Sequence, residues 1–456
     1  MEGVIEVPHS QGMPTRFAGS VASARIRKIG RTTVSGISGR KTRAVAAGLA
    51  LLLAGGALAG CSGSGGRETI RFALAKPEAI PYMTDLVKEY NDSQDEVHVV
   101  LDTSGIDAVS AGFVRGDPPD IALNNYNQET ARFIQRCAMS DLSDTEAAQS
   151  VREDLTPFMD QFGVCPGRTS AIPYSVMGAA VIYNKEIFEQ NDLEVPTTWD
   201  ELIEVCETLE TAGITPFYAT FADNWTIGQG WYDYTVGGTI DTLAFFEDLA
   251  EEGPDVGPNS AVSFQKDQAE PVDKMLELSQ YVNSDAASRI YGDGNTAMAQ
   301  GEAAMYMQGP WAFGEIAKAA PDLELGMFPL PVTDDPDDLK VRINMDLAAW
   351  IPEASEHQEA ARAFLAYLYQ PEVIEAYNES QLGFVPTKDA PPVSDERIIG
   401  LQEYIDAGDV YQGSTTLVPR AIPIMNYVQA IMLGSDPQRI LSNIDADYAR
   451  LAFRQQ

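Results

Sequence analysis

Histidine and cysteine are scarce: 456 residues hold three His and four Cys, and no CxxC pair occurs. A zinc centre or a His-based catalytic triad is close to excluded on that count. Positive charge is also scarce, with 31 Lys+Arg against 67 Asp+Glu and a net charge of −36. Eight of the basic residues (Arg16, Arg25, Arg27, Lys28, Arg31, Arg40, Lys41, Arg43) precede position 61, where only Glu2 and Glu6 are acidic. From Cys61 onward 23 bases face 65 acids, a net charge of −42. Such a surface repels phosphate backbones and rules against a general nucleic-acid binder. It argues equally against anionic solutes, which require convergent Arg or Lys. No GxxxxGK[ST] loop is present, so the chain carries no P-loop for ATP hydrolysis. Long apolar runs are missing except for one, and that one is short.

That run, AVAAGLALLLAGGALAG at 44–60, follows a basic, Ser/Thr-dotted stretch and ends on Cys61. It is too short to be a comfortable bilayer span and suits a signal peptide. Arg40-Lys41 is not a twin-arginine pair, so Sec-type export is expected. Residues 1–12 add no targeting logic, which leaves Met1 and Met13 as alternative starts. LAGC at 58–61 resembles a bacterial lipoprotein cleavage box, which implies that Cys61 becomes the diacylated first residue. Two acyl chains suffice for stable anchoring. The alternative is an uncleaved, weak membrane helix. SGSGG after Cys61 reads as a flexible tether.

What remains is rich enough to fold: 45% of the chain is hydrophobic, and apolar periodicity recurs almost to its end. ETIRFAL at 68–74, EVHVVLD at 96–102 and PPDIALNN at 118–125 read as strands. A helix over about 80–92 separates the first two, giving the βαβ rhythm of an open α/β domain. AVIYN at 180–184 reads as a buried strand. Thr198 with Glu201 forms a capping box for a helix that Gly213 ends. Residues 224–250 begin aromatic and Gly-rich and then turn helical. Further helices are expected at 268–282, about 356–369 and Pro371 to about Ser380, with a strand at 348–351. GDGNT at 292–296 reads as a turn with a possible helix cap. Cys137 and Cys165 lie in loop-like sequence, and an exported compartment permits their disulfide. Cys206 falls on the apolar side of its helix and reads as a buried hydrophobe.

Four landmarks carry a family likeness. They are IPYSVMGAAVIYNKEIFEQNDLEVPTTWDEL (172–202), GEAAMYMQGPWAFGEI (301–316), FPLP (328–331), and AAWIPEASEHQEAARAFLAYLYQPEVIEAY (348–377) followed by GFVPT. In this order, behind a lipoprotein box, they make residues 67–456 resemble an extracellular solute-binding protein of an ATP-driven sugar importer. The group is the broad maltose- and oligosaccharide-binding one, family 1. The resemblance implies a periplasmic-binding-protein-like, type II-like fold: two α/β lobes joined by a multi-crossover hinge. Lobe 1 would combine 67–174 with 340–380, and lobe 2 would combine 179–330 with 388–456. The crossovers would fall at 175–178, 331–339 and 381–387. The resemblance further implies a monomer, tethered gram-positive-style on the outer face of the cell membrane. It would hand its sugar to a permease driven by a separate cytoplasmic ATPase, without cofactor or metal and without chemistry on the ligand.

A sugar needs flat aromatic faces for its C–H surfaces and fixed polar groups for its hydroxyls. Such groups are densest in DNWTIGQGWYDY at 223–234, which points to Trp225 or Trp231 as a platform. The resemblance implies a stacking role for Trp311 of GPW. Asn344 and Asp346 precede a strand expected beside a crossover. Asn125, Tyr126 and Asn127 follow the third strand, at the carboxyl end where open sheets bind ligands. Lys76 and Glu78 share that position after the first strand, and Ser175 and Phe384 belong to crossovers. Tyr183, Asn184, Lys185, Trp199 and Met305 match the family but read as structural. The tryptophans favour a neutral oligosaccharide of about two to five units. DDPDDLK at 334–340 lacks the alternation and closing Glu of a calcium loop and reads as a solvated hinge. A glycoside hydrolase would require two carboxylates set across the cleft, and no motif singles out such a pair. A structural lipoprotein or adhesin is the remaining alternative.

Overall fold

The computed structural model describes residues 66–455. Cys61, the signal peptide expected at 1–60 and most of the expected tether lie outside the described residues. Among the described residues no helix is long and apolar enough to cross a membrane.

Two α/β lobes share one mixed sheet. β1 (Glu68–Leu74) lies between β2 (Val97–Asp102) and β3 (Ile121–Asn124), both parallel to it. Parallel neighbours need a crossover, and the helix Ile80–Ser93 supplies the first, burying Met83, Leu86, Val87 and Tyr90. β4 (Ile172–Asn184) and β8 (Val341–Trp350) are the long members. The first half of β4 pairs antiparallel with β8, which also pairs with β3. Its second half pairs with β6 (Ala303–Gln308) and β7 (Leu325–Phe328), and β5 (Thr215–Phe217) runs parallel to β6. β9 (Val410–Gln412) adds to the start of β8. The polypeptide therefore passes between lobes inside two paired strands, and Phe384 bridges to Val176 as a third strand-like passage.

Two strands extend further than their apolar runs suggest. Only 180–184 reads as strand in the sequence, yet β4 begins at Ile172; it is buried almost throughout, so no inside–outside alternation marks it. β8 likewise begins seven residues before AAWI. Arg342, Asn344 and Asp346 alternate along one face, and their polarity looks loop-like until their partners are known. The strap at 331–339 is tied to the second lobe, where Trp199 N–H donates to the Thr333 carbonyl and Asp200 N–H to Asp334 Oδ1. GDGNT proves to be the first turn of a helix, Tyr291–Gln300, with Asp293 accepting from the Ile290 N–H.

Cys137 and Cys165 form a disulfide across 28 residues. Cys206 is buried, and burial pushes its thiol pKa up, so it is inert. At the edge of the first lobe His357 Nδ1 lies 2.7 Å from Glu68 Oε1, and this pairing raises the imidazole pKa above 6.5. A raised folded-state pKa gives stabilisation that is full below about pH 6.5 and is lost as pH rises through the folded value. The pair is half-exposed, so its worth is below about 1 kcal/mol. His357→Gln is expected to flatten part of the stability decline between neutral and mildly alkaline pH, read from denaturant midpoints at stepped pH.

Candidate functional site

The carboxyl ends of β1 and β3 meet the middle of β8. Asn124 Oδ1 accepts from the Ala75 N–H (2.7 Å), which fixes the two strand ends together. The next residues then converge on one carboxylate. Lys76 Nζ lies 2.5 Å from Asp346 Oδ2, and Asn125 Nδ2 donates to the Asp346 carbonyl (2.7 Å) and to its Oδ1 (3.3 Å). Lys76 is 9% and Asp346 8% exposed. Burial raises the Asp346 pKa and Lys76 opposes the shift, while exposed Glu78 adds to the rise. The result is a desolvated ion pair with an exposed amide beside it: rigid donors and acceptors of no large net charge.

The second lobe presents rings. Trp225 and Tyr291 lie 5.0 Å apart at 58°, forming a corner. Asp223 holds it, accepting from the Tyr291 N–H at 2.8 Å. Burial raises the Tyr291 pKa, and the carboxylates of Glu315 and Glu78 add to the rise. Trp311 opens the helix Trp311–Ala317 and is half-buried, its Nε1–H donating to Gln308 Oε1 at 3.0 Å. Its ring lies on the backbone of Gly309, where an added Cβ would sit 2.1 Å from the ring. Near the hinge Gln128 Nε2 reaches the carbonyls of Thr416, Leu417 and Val418 at 3.3–3.5 Å.

Lys76, Asn125 and Asp346 are thus brought together, with exposed Glu78 two residues beyond Lys76, while Trp225 and Trp311 are half-buried in the second lobe. Other residues named from the sequence lie elsewhere. Trp231 is 2% exposed, wedged between Phe217 and Phe221 in the second lobe's core. It sits in a π-helical stretch, Ile227–Tyr232, where Gly230 allows close approach: a Cβ there would lie 2.7 Å from the Met307 carbonyl oxygen. Tyr126 is buried with its hydroxyl on the Met159 carbonyl. Asn127 caps the helix Gln128–Gln135, accepting from the N–H groups of Glu129 and Thr130. Ser175 is fully buried, Phe384 nearly so, and Asn344 is half-buried on β8. Tyr291 and Gln308 were missed. Tyr291 precedes what reads as a turn, and nothing in the sequence places it against Trp225. Among the described residues no group of three or more His, Cys, Asp or Glu could hold a metal ion.

The family model for bacterial extracellular solute-binding protein matches residues 76–375. Among curated relatives, the diacetylchitobiose binding protein DasA of Streptomyces coelicolor is 23% identical over 424 residues, covering 88% of this chain and 93% of its own. An uncharacterized ABC transporter extracellular-binding protein of Pyrococcus horikoshii is 24% identical over 339 residues, covering 72% and 70% respectively. Among solved structures, apo RafE from Streptococcus pneumoniae superposes with a TM-score of 0.74 at 20% identity, over 85% of this chain and 98% of that one.

Proposed function

The chain belongs to the bacterial extracellular solute-binding protein family, whose members bind and do not transform their ligands, and on that premise we propose that it captures a neutral oligosaccharide of two to five units between its lobes. The observation that carries this reading is a set of half-buried rings in the second lobe together with a fixed polar cluster in the first. Trp225, Tyr291 and Trp311 offer stacking faces, and Lys76, Asn125, Asp346 and Glu78 offer hydroxyl partners. A sugar touching both sets holds the lobes together, shifting an open state toward a closed one. Relatives with sugars in their names support the class: DasA is a diacetylchitobiose binding protein, and MelE of Bacillus subtilis a melibiose/raffinose/stachyose-binding protein. In this proposal Trp231, Tyr126, Asn127, Ser175 and Phe384 serve the fold, and Asn344 stands at the margin of the site.

Calorimetric titration of the compact unit Ser64–Gln456 against neutral di- to pentasaccharides of differing linkage tests the reading. One-to-one binding at micromolar or tighter affinity to one linkage class is the expected result. Silence across the panel from folded, ligand-free protein overturns it.

The same proposal makes the protein a monomeric receptor on the outer face of the membrane, diacylated at Cys61. It delivers its sugar to a permease powered by a separate ATPase. Cys61→Ser is expected to release the protein into the medium, as read by immunoblotting of cell and culture fractions. Retention with the cells would exclude the lipid as the anchor.

A further inference from the structure

Behind the hinge lies a cavity of about 710 Å³, within the range of small-molecule sites. It shares none of Lys76, Glu78, Asn125, Asp346, Trp225, Tyr291 or Trp311. Phe384, suggested for the cleft by its place in a crossover, lines this cavity instead. The floor is apolar: Leu382, Phe384, Ile398 and Ile405 are each at most 8% exposed.

The rim is acidic, and its charge is unbalanced. Of its two cations, Arg152 is engaged by Asp154 (2.8 Å) and lies 3.8 Å from Asp406, and Lys388 is 3.6 Å from Glu153. Glu375 and Glu379 stand one helical turn apart on Pro371–Gln381, and both line the cavity. Neither has an ion-pair partner among the described residues. Like charges at i,i+4 repel, and a cation between them relieves the repulsion. With no metal-ligating group of three among the described residues, a bare metal ion is a poor match. The apolar floor calls for a carbon body beneath the positive head.

We propose that this hinge cavity is a second ligand site, taking an organic ammonium ion with an apolar body. Its ammonium group lies between Glu375 and Glu379, and its body lies on Phe384, Ile398 and Ile405. The site spans the molecule. Glu375 and Glu379 belong to the first lobe, 382–387 to the third passage, and Ile405 to the second lobe, where Arg152 Nη2 also donates to the Ile405 carbonyl at 2.5 Å. Occupancy therefore bears on the angle between the lobes. By linkage it alters sugar affinity by the same factor by which sugar alters its own. This last consequence rests on the oligosaccharide reading; the site does not.

The test uses three probes of one shape: 4-phenylbutylammonium, 4-phenylbutanol and 4-phenylbutanoate, titrated into the purified protein by calorimetry and NMR. The ammonium probe is expected to bind at least tenfold tighter than the alcohol, with the carboxylate weakest. Glu375→Gln/Glu379→Gln is expected to bring the ammonium affinity down to that of the alcohol. These exposed and half-exposed positions leave the core intact, so unchanged melting accompanies the loss. Saturating oligosaccharide should change the affinity by a fixed factor without abolishing it. Absence of binding, equal affinity for the three probes, an unaffected double variant, or full displacement by sugar would each overturn the proposal. Since probe binding is read without sugar, its failure leaves the cleft reading standing, and failure of the sugar panel leaves this site testable.

Discussion

Trp311→Ala is expected to weaken oligosaccharide binding by about 1–3 kcal/mol, or roughly 5- to 150-fold in Kd, with the fold retained. The ring does two things. Its exposed part is a stacking face, and its indole N–H is already satisfied by Gln308 at 3.0 Å, so the face is held without a polar penalty. Truncation removes the face and frees Gln308 to turn. Calorimetry of the variant against the sugar found for the wild type measures the loss, and circular dichroism checks the fold. Full affinity would place Trp311 outside the site. Gly309→Ala is a useful companion because the ring rests on the Gly309 backbone, where a methyl would collide with it. That variant keeps the indole but displaces it, and an affinity falling between wild type and Trp311→Ala is expected. Position, rather than the mere presence of an aromatic group, would then be the determinant.

Arg342→Met is expected to destabilise the protein by about 3–5 kcal/mol, the cost of stranding a buried charge. Arg342 and Asp233 are 1% and 0% exposed. Arg342 Nε donates to Asp233 Oδ2 at 3.0 Å, and the remaining carboxylate capacity accepts from the N–H and hydroxyl of Thr415, each at 2.8 Å. Burial raises the Asp233 pKa even with the arginine beside it. Without Arg342 it rises further. An acid whose folded-state pKa lies above its unfolded value binds a proton on folding, so stability grows as pH falls through the folded value. The deficit of the variant should therefore shrink on acidification. Arg342→Met combined with Asp233→Leu should recover part of the loss, because an apolar pair leaves no stranded charge. Urea denaturation at neutral and acidic pH reads both effects. A neutral-pH loss below about 1 kcal/mol would show that the pair is solvated in solution. The pair touches no proposed ligand contact, so affinity measured on the folded fraction should stay within a few-fold of wild type.

The open α/β character was legible because it depends on local patterns. The apolar stripe Met83, Leu86, Val87 and Tyr90 faces the core as its spacing required. The Thr198–Glu201 box opens its helix through the two reciprocal bonds expected of it. Strand ends were harder. Ile172–Ala179 is buried throughout and lacks the alternation by which a sequence announces a strand, whereas Val341–Leu347 alternates but carries Arg342, Asn344 and Asp346, whose polarity reads as loop until they are placed.

The site divides along the same line. Lys76 and Asn125 could be named because topology alone puts residues after parallel strands at the ligand end of a sheet. The same rule named Tyr126 and Asn127, and it has no means of telling an exposed amide from a helix cap or a buried phenol. Trp225 and Trp231 were indistinguishable in one aromatic run. A π-helical register decides between them, turning Trp231 onto Phe217 and Phe221 and leaving Trp225 against Tyr291. By itself, then, the sequence determined the α/β class, with its two lobes implied by the family resemblance, and it determined the acidic surface and the scarcity of metal-binding residues. It also determined which strand ends carry polar groups. Tertiary structure alone decided the Lys76–Asp346 pair across 270 residues, the Trp225–Tyr291 corner and the cavity behind the hinge. Composition and periodicity act over a few turns of chain, whereas a contact between distant residues is fixed only when sheet register and helix packing bring their side chains into reach.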